Sequence, residues 1–222
     1  MKSVLPDIAA FADEMTAWRR HLHQHPELDL ACHATAAFVA ERMTEFGVDH
    51  IHTGFAQTGI VAIIEGRGAG LTIGLRADMD ALPIIEATGA QWQSKTTGIM
   101  PACGHDDHTT MLLGAARYLC QTRNFSGRVV LIFQPGEELS GGGQIMVAHG
   151  IFDRFDIAEI YALHTLPGET AGTFHTRPGP FLASVDDFSF TITGRSGHVA
   201  YPALCRNPIN HFGAVIAGVA SI

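Results

Sequence analysis

Cysteine is scarce in this chain, and the cysteines present do not form a framework. Cys32, Cys103, Cys120 and Cys205 are scattered, with no CxxC pair, which excludes a disulfide-stapled scaffold. Basic residues are also few. Fourteen Lys and Arg stand against 22 Asp and Glu, for a net charge of −8 with histidine neutral, so nucleic acid has no electrostatic footprint here. No apolar run approaches the length needed to span a bilayer. Met1-Lys2-Ser3-Val4-Leu5-Pro6-Asp7 has no apolar stretch behind a basic start, so no secretory leader is expected. There is no internal repeat and no low-complexity tract. These absences point to a cytoplasmic protein without nucleic-acid or membrane partners, in a reducing setting where free thiols survive.

What is present narrows the reading further. The 222 residues suit one large domain or one and a half ordinary ones, and 46% apolar residues supports a core and argues against disorder. Thirteen histidines is a high count, and imidazole is the commonest metal ligand among side chains. The densest chemistry lies in Cys103-Gly104-His105-Asp106-Asp107-His108. Thiolate and imidazole suit zinc and similar divalent ions, and neighbouring carboxylates can orient a ligating imidazole through its other ring nitrogen.

Apolar spacing predicts a helix from Asp7 to His23, ended by His25-Pro26, and a second from His33 to Phe46 with Gly47 as its stop. Gly59–Gly66 reads as a buried strand and Leu71–Arg76 as its neighbour. A helix should run from about Asp107 through Leu119, with Asp106 or Asp107 as its N-cap. Arg128–Phe133 and Ile157–Leu163 are further strands. Strands alternating with helices argue for an α/β layer structure with a largely parallel sheet. The texture changes near Pro178-Gly179-Pro180; beyond it Asp187–Thr193 alternates as a half-exposed strand should, and Pro208–Ile222 reads as an apolar helix that stops without a cap, as a domain cut short would.

Several loaded segments follow strands: Asp78-Met79-Asp80, Glu137-Glu138 and His164. In parallel sheets, ligand sites gather at the carboxyl ends of strands, so these residues can converge on Cys103 and His105. Each also has a plain alternative. The glutamates can be a solvated loop, Asp78 and Asp80 can cap a turn or pair with Arg76, and His164 can be an ordinary satisfied histidine. His21, His23 and His25 can belong to a turn. Gly141-Gly142-Gly143 is not a phosphate loop, because no Gly-Lys-[Ser/Thr] follows. Taken together, the set offers thiolate, imidazole and carboxylate ligands with one carboxylate to spare. A metal-assisted hydrolase needs that spare group to take a proton from an activated water.

Arg76-Ala77-Asp78-Met79-Asp80-Ala81-Leu82-Pro83-Ile84, Ala102-Cys103-Gly104-His105-Asp106 and Phe133-Gln134-Pro135-Gly136-Glu137-Glu138, with His23-Gln24-His25-Pro26-Glu27-Leu28, resemble the amidohydrolase branch of the M20 metallopeptidases. Hippurate hydrolases and N-acyl-amino-acid amidohydrolases belong to that branch. The resemblance implies a three-layer, largely parallel α/β catalytic domain over residues 1–183 and the truncated start of a smaller α+β lid and dimerisation domain over 184–222. It implies two divalent metal ions per subunit (zinc, manganese, cobalt or nickel), with Cys103 bridging and His105, Glu138 and His164 as terminal ligands. Glu137 would be the general base, and Asp80 and Asp106 supporting carboxylates. Asp107 and His108 would support or cap. His198, in Gly194-Arg195-Ser196-Gly197-His198, would reach the partner subunit of a homodimer and stabilise the tetrahedral oxyanion. The implied reaction is hydrolysis of a small N-acyl amino acid to a carboxylate and a free amino acid. The alternatives are a dipeptidase, a biosynthetic deacylase, or a truncated remnant without activity. Pro101 stands where the family usually has histidine, Gly136 where alanine is common, and Cys32 where it has glutamate.

Overall fold

The computed structural model describes residues 4–185 and 188–221. Residues 1–3, Asp187 at the head of the alternating run, and Ile222 lie outside that range. The chain divides into two compact units, Met1–Gly172 and Thr173–Ile222.

The first unit is built on a five-stranded sheet of β1 (His50–Phe55), β2 (Gly59–Glu65), β3 (Thr72–Asp78), β4 (Arg128–Gln134) and β5 (Glu159–Ala162), in the order β1-β2-β4-β3-β5. β2 is antiparallel to β1 and β4, while β3 is parallel to both β4 and β5. Four of the five strands therefore point one way, and β2 alone runs against them. The helices are α1 (Pro6–Ala9), α2 (Ala12–Gln24), α3 (His33–Phe46), α4 (His105–Thr122), α5 (Gly142–Ala148) and α6 (Ile151–Phe155).

The two-residue period of a strand sorts the core into two layers. Ile60, Ala62 and Ile64 of β2, with Val129, Leu131 and Phe133 of β4, pack against Trp18, Val39, Met43, Leu112, Leu113 and Ala116 of α2, α3 and α4. The alternate residues Val61, Ile63, Val130 and Ile132 pack against Met146, Ile151 and Phe155 of α5 and α6. The expected three-layer α/β arrangement follows. It also explains why β2 and β4 read as continuous apolar runs: both of their faces are covered.

Local details depart from the sequence reading in four places. β3 is not the neighbour of β2, because β4 lies between them. The connection from β2 crosses the start of β4, fastened by Gly66 N–H to the Gly127 carbonyl (2.8 Å) and Arg67 N–H to the Phe125 carbonyl (2.7 Å), so β3 lands on the far side. The first helix is broken at Ala10 and Phe11 into α1 and α2, with Phe11 buried. α4 begins at His105 with Gly104 as its cap residue, so Asp106 and Asp107 occupy the first turn, where carboxylates still favour the positive end of the helix dipole. Residues 188–193 form no strand; the second unit has, among the described residues, a single antiparallel bridge between Arg195 and Arg206. An extended segment needs a ladder partner for its backbone groups, and no described segment pairs with this one. That unit also holds a short 3₁₀ turn, Pro202–Leu204, and α7 (Pro208–Val219), capped by Asn207 accepting from Ile209 N–H at 3.0 Å.

α3 matches its expected bounds and stops at Gly47, whose φ of 76° is left-handed. Its first turn is capped from outside, with Glu27 accepting from Ala34 N–H (3.0 Å), Thr35 N–H (2.8 Å) and Thr35 Oγ1 (2.9 Å). α2 is tied to the start of α4 by a buried polar cluster. His23 Nδ1 lies 2.8 Å from Asp106 Oδ2, Arg19 Nε lies 2.8 Å from the same oxygen, and His23 Nε2 lies 3.2 Å from Glu86 Oε1. The Asp106 hydrogen bond, helped by Glu86, raises the His23 pKa against the effect of burial.

Two outcomes follow. Phe133→Ala, in the buried central strand, should lower unfolding free energy in urea by about 3–5 kcal/mol; a loss under about 1 kcal/mol would contradict the two-sided packing of β4. Because the folded His23 pKa is raised, its stabilisation is full below its ordinary value of 6.5 and disappears as pH rises through the folded value. The Tm difference between the parent chain and His23→Gln should therefore shrink on going from mildly acidic to alkaline buffer; a difference that grows would refute the pairing.

Candidate metal centre

β4, β3 and β5 are adjacent and parallel, so their carboxyl ends open on one edge of the sheet. In chain order, β3 delivers Asp78 and then Asp80, β4 delivers the turn with Glu137 and Glu138, and β5 is followed by His164. The start of α4 brings Cys103 and His105 to the same place. Two glycines permit the close approach. Gly104 has φ 92°, and a Cβ there would lie 2.5 Å from Thr165 Oγ1. Gly136 has φ 66°, and a Cβ there would lie 2.5 Å from Leu30 Cδ2, so alanine would strain the turn that carries the glutamates. Pro101 is accommodated by a turn closed from Gly104 N–H to its carbonyl at 3.2 Å.

His105 is the centre of the arrangement. It is 1% exposed, and among the described residues neither ring nitrogen has a hydrogen-bond partner. Nε2 lies 3.7 Å from Glu138 Oε1, 3.9 Å from Glu137 Oε2 and 3.7 Å from Asp78 Oδ2. Nδ1 lies 3.5 Å from Asp80 Oδ1. Glu138 Oε1 is likewise buried and unpartnered. Cys103 Sγ lies 3.5 Å from His164 Nε2. Three groups of ligand atoms fall within 4.8 Å of one another: Cys103, His105 and His164; His105, Glu137 and Glu138; and Asp78, His105 and His108. His105 belongs to all three.

Buried polar atoms without partners are costly, and here they face several carboxylates and a thiol. A divalent cation between them would satisfy both sets, so the donors present fit a metal centre. The electrostatics agree. Burial, with the adjacent Glu138 and Glu137 carboxylates, pushes the Cys103 thiol up to about 12. Burial pulls the His105 ring down, but the Asp80 and Asp78 carboxylates outweigh it and raise its pKa. Burial and the neighbouring Glu138 charge raise the Glu137 carboxyl.

Asp80 is buried and does two things. Its Oδ1 accepts Glu137 N–H (3.0 Å) and its Oδ2 accepts Glu138 N–H (3.1 Å), fixing the turn; the same carboxylate faces His105 Nδ1. Thus Cys103, His105, Glu137, Glu138, His164 and Asp80 come together. Asp106 is turned to His23 and Arg19. His198 belongs to the second unit, where its Nδ1 accepts Ala200 N–H at 3.2 Å.

Two more side chains stand at the site, outside the implied ligand set. Asp78 is buried, 2.6 Å from His108 Nδ1 and 2.8 Å from Arg76 NH1. Burial raises its carboxyl, but His108 and the Arg76 charge overcome this and hold it at about 2. Pairing with Arg76 was one of the readings the sequence left open. His108 lies three residues after His105 on α4, a spacing that puts both on one helix face.

Residues 74–219 match the profile of Peptidase family M20/M25/M40. The hippurate hydrolase of Campylobacter jejuni is 37% identical over 220 residues, which is 99% of this chain and 57% of that protein. An N-acetylcysteine deacetylase of Bacillus subtilis is 37% identical over 214 residues, 96% of this chain and 56% of that one. The chain thus spans about half the length of the curated relatives it matches. The solved YXEP protein of Bacillus subtilis, described as a dinuclear metal binding peptidase, is 37% identical with a TM-score of 0.68, over 72% of this chain and 44% of that one. A structure from methicillin resistant Staphylococcus aureus reaches a TM-score of 0.81 at 30% identity, over 97% of this chain and 57% of that one. By profile, identity over nearly its whole length and fold, the chain belongs to peptidase family M20/M25/M40.

Proposed function

We propose that this site holds two divalent cations and serves the hydrolysis of the amide bond in N-acyl amino acids. The observation that carries the reading is the buried His105, its two unpartnered nitrogens ringed by carboxylates and shared by every candidate ligand group. Cys103, His105, Glu138 and His164 would hold the ions, with Cys103 as the shared thiolate. The bound ions supply Lewis-acid polarisation of the scissile carbonyl and a water acidified towards neutrality. Thiolate and imidazole favour zinc, and carboxylates admit manganese, cobalt or nickel.

The two adjacent glutamates divide the work by exposure. The Glu138 side chain is 18% exposed and faces His105; that of Glu137 is 42% exposed and open to water and substrate. Glu137 takes a proton from the attacking water and passes it to the nitrogen of the leaving amine. Asp80 holds both glutamates by their backbone, and its Oδ1, 3.5 Å from His105 Nδ1, is placed to orient that ring once Nε2 is ligated. Asp106 braces the start of α4 through His23 and Arg19. His198 accepts at Nδ1, so its ring proton sits on Nε2, ready to donate to an oxyanion in the site of a partner subunit. We take residues 184–222 as the start of a lid through which a homodimer forms. The four free cysteines suit a reducing compartment such as the cytoplasm.

The names hippurate hydrolase and N-acetylcysteine deacetylase favour N-acyl amino acids. A second reading, a deacylase of a biosynthetic intermediate or a peptidase, is favoured by an N-acetyldiaminopimelate deacetylase of Exiguobacterium sibiricum at 36% identity and a thermostable carboxypeptidase of Saccharolobus solfataricus at 36%.

A panel of N-acetyl amino acids, N-benzoyl amino acids and dipeptides, offered to the metal-loaded protein, should show acyl release as the preferred reaction. Preferred dipeptide cleavage would favour the second reading. Glu137→Ala should lower turnover at least about 100-fold while keeping the metal; turnover at the parent level would remove Glu137 from the mechanism. Cys103→Ala should lower metal content per chain by elemental analysis, and unchanged content would remove the bridging role.

A further inference from the structure

We propose that His108 is the positioning residue of the metal centre, a clamp and not a ligand, which aims His164 and Asp78 at the site through opposite sides of its ring. The inference rests on the two-metal reading and deepens it. His108 is buried on α4, next to the His164 ring, their centroids 4.5 Å apart. Its Nε2 receives the Thr165 backbone N–H at 2.9 Å, with Thr165 Oγ1 at 3.2 Å. A backbone amide can only donate, so Nε2 is the accepting nitrogen. The ring proton is therefore on Nδ1, which donates to Asp78 Oδ1 at 2.6 Å. Although the atoms of Asp78, His105 and His108 lie close enough to hold an ion, both His108 nitrogens are already engaged.

The hydrogen bonds then run on to a ligand. Thr165, held by its N–H, turns its carbonyl to His164 Nδ1 at 2.7 Å. His164 donates there, which leaves the lone pair of its Nε2 towards Cys103 Sγ, 3.5 Å away. On the other side, Asp78 is held by His108 and Arg76, and its backbone carbonyl accepts from Thr109 Oγ1 at 2.8 Å. Its second oxygen stays 3.7 Å from His105 Nε2. Gly104, between Cys103 and His105, leaves room for Thr165 and for no side chain of its own. One imidazole thus fastens the end of β3, the start of α4 and the loop after β5.

The test uses the 222-residue chain with zinc and cobalt(II) as probes, comparing the parent with His108→Ala, His108→Gln and Cys103→Ala. His108→Ala should reach the parent's metal stoichiometry and cobalt–thiolate absorption at saturation, with affinity about 10–100-fold weaker. His108→Gln keeps one donor and one acceptor and should recover part of that loss. Long-range ¹⁵N–¹H spectra of the parent should show His108 protonated on Nδ1 alone. Lost stoichiometry or an altered cobalt spectrum at saturation in His108→Ala would make His108 a ligand. Unchanged affinity, or a proton on Nε2, would also overturn the clamp. If His108→Ala does not fold by circular dichroism, the Gln variant and the parent's ¹⁵N spectrum still decide. Parent-like cobalt–thiolate absorption in Cys103→Ala would instead overturn the underlying metal reading, whatever His108 does.

Discussion

A buried imidazole with no hydrogen-bond partner, surrounded by carboxylates, is the constraint on which the rest of this structure turns. His105 is buried, and among the described residues neither ring nitrogen has a hydrogen-bond partner. Asp78, Asp80, Glu137 and Glu138 share one sheet edge, and of the four only Asp78 has a described Arg or Lys partner, Arg76; like charges so placed favour a cation among them. The sheet brings these groups together because β4, β3 and β5 run parallel and end together. The fold therefore gathers at this edge a set of donors that a divalent cation would satisfy.

The loops that bear the proposed ligands are held by side chains outside that set. Asp80 fixes the Glu137–Glu138 turn by two backbone hydrogen bonds, and Glu27 caps α3 from the preceding loop. His23 and Arg19 secure Asp106 at the start of α4. The Glu27 cap is local, whereas the Asp80 and His23–Asp106 braces each join segments distant in sequence. Loops ordinarily give up some conformational definition; here buried, charge-assisted hydrogen bonds supply it. The site is consequently only as well defined as the packing of α2 and α4 on the sheet.

Much of this was legible in the sequence. The apolar runs of β2 and β4, the period of α3 and its closing glycine, and the ligand-rich Cys103–His108 segment each carry local signals. The ligand set proposed here comes from the family resemblance of the motifs. What stayed hidden depends on contacts distant in sequence. β1 is an edge strand reading His-Ile-His-Thr-Gly-Phe, too polar to stand out. α5 lies in a glycine-rich stretch and owes its helix to Met146 packing on the sheet. The placement of β4 between β2 and β3 is set by the crossing connection at Gly66 and Arg67, and sequence neighbours are spatial neighbours only as a tendency. The joining of His108 to Asp78 and Thr165 spans three elements, so spacing could place His108 beside His105 but could not name its partners. Residues 188–193 have the alternation of a strand and lack a described partner, a reminder that period sets a preference and pairing makes the strand.

The proposed centre has Cys103 between two divalent cations, with His105, Glu138 and His164 as the remaining ligands. The most direct measurement is anomalous diffraction at the metal absorption edge from crystals grown with zinc or manganese. Two peaks, one on either side of Cys103 Sγ and both in contact with this ligand set, are the predicted result. No peak near His105 Nε2, or a single peak held by Asp78 and His108, would contradict the account.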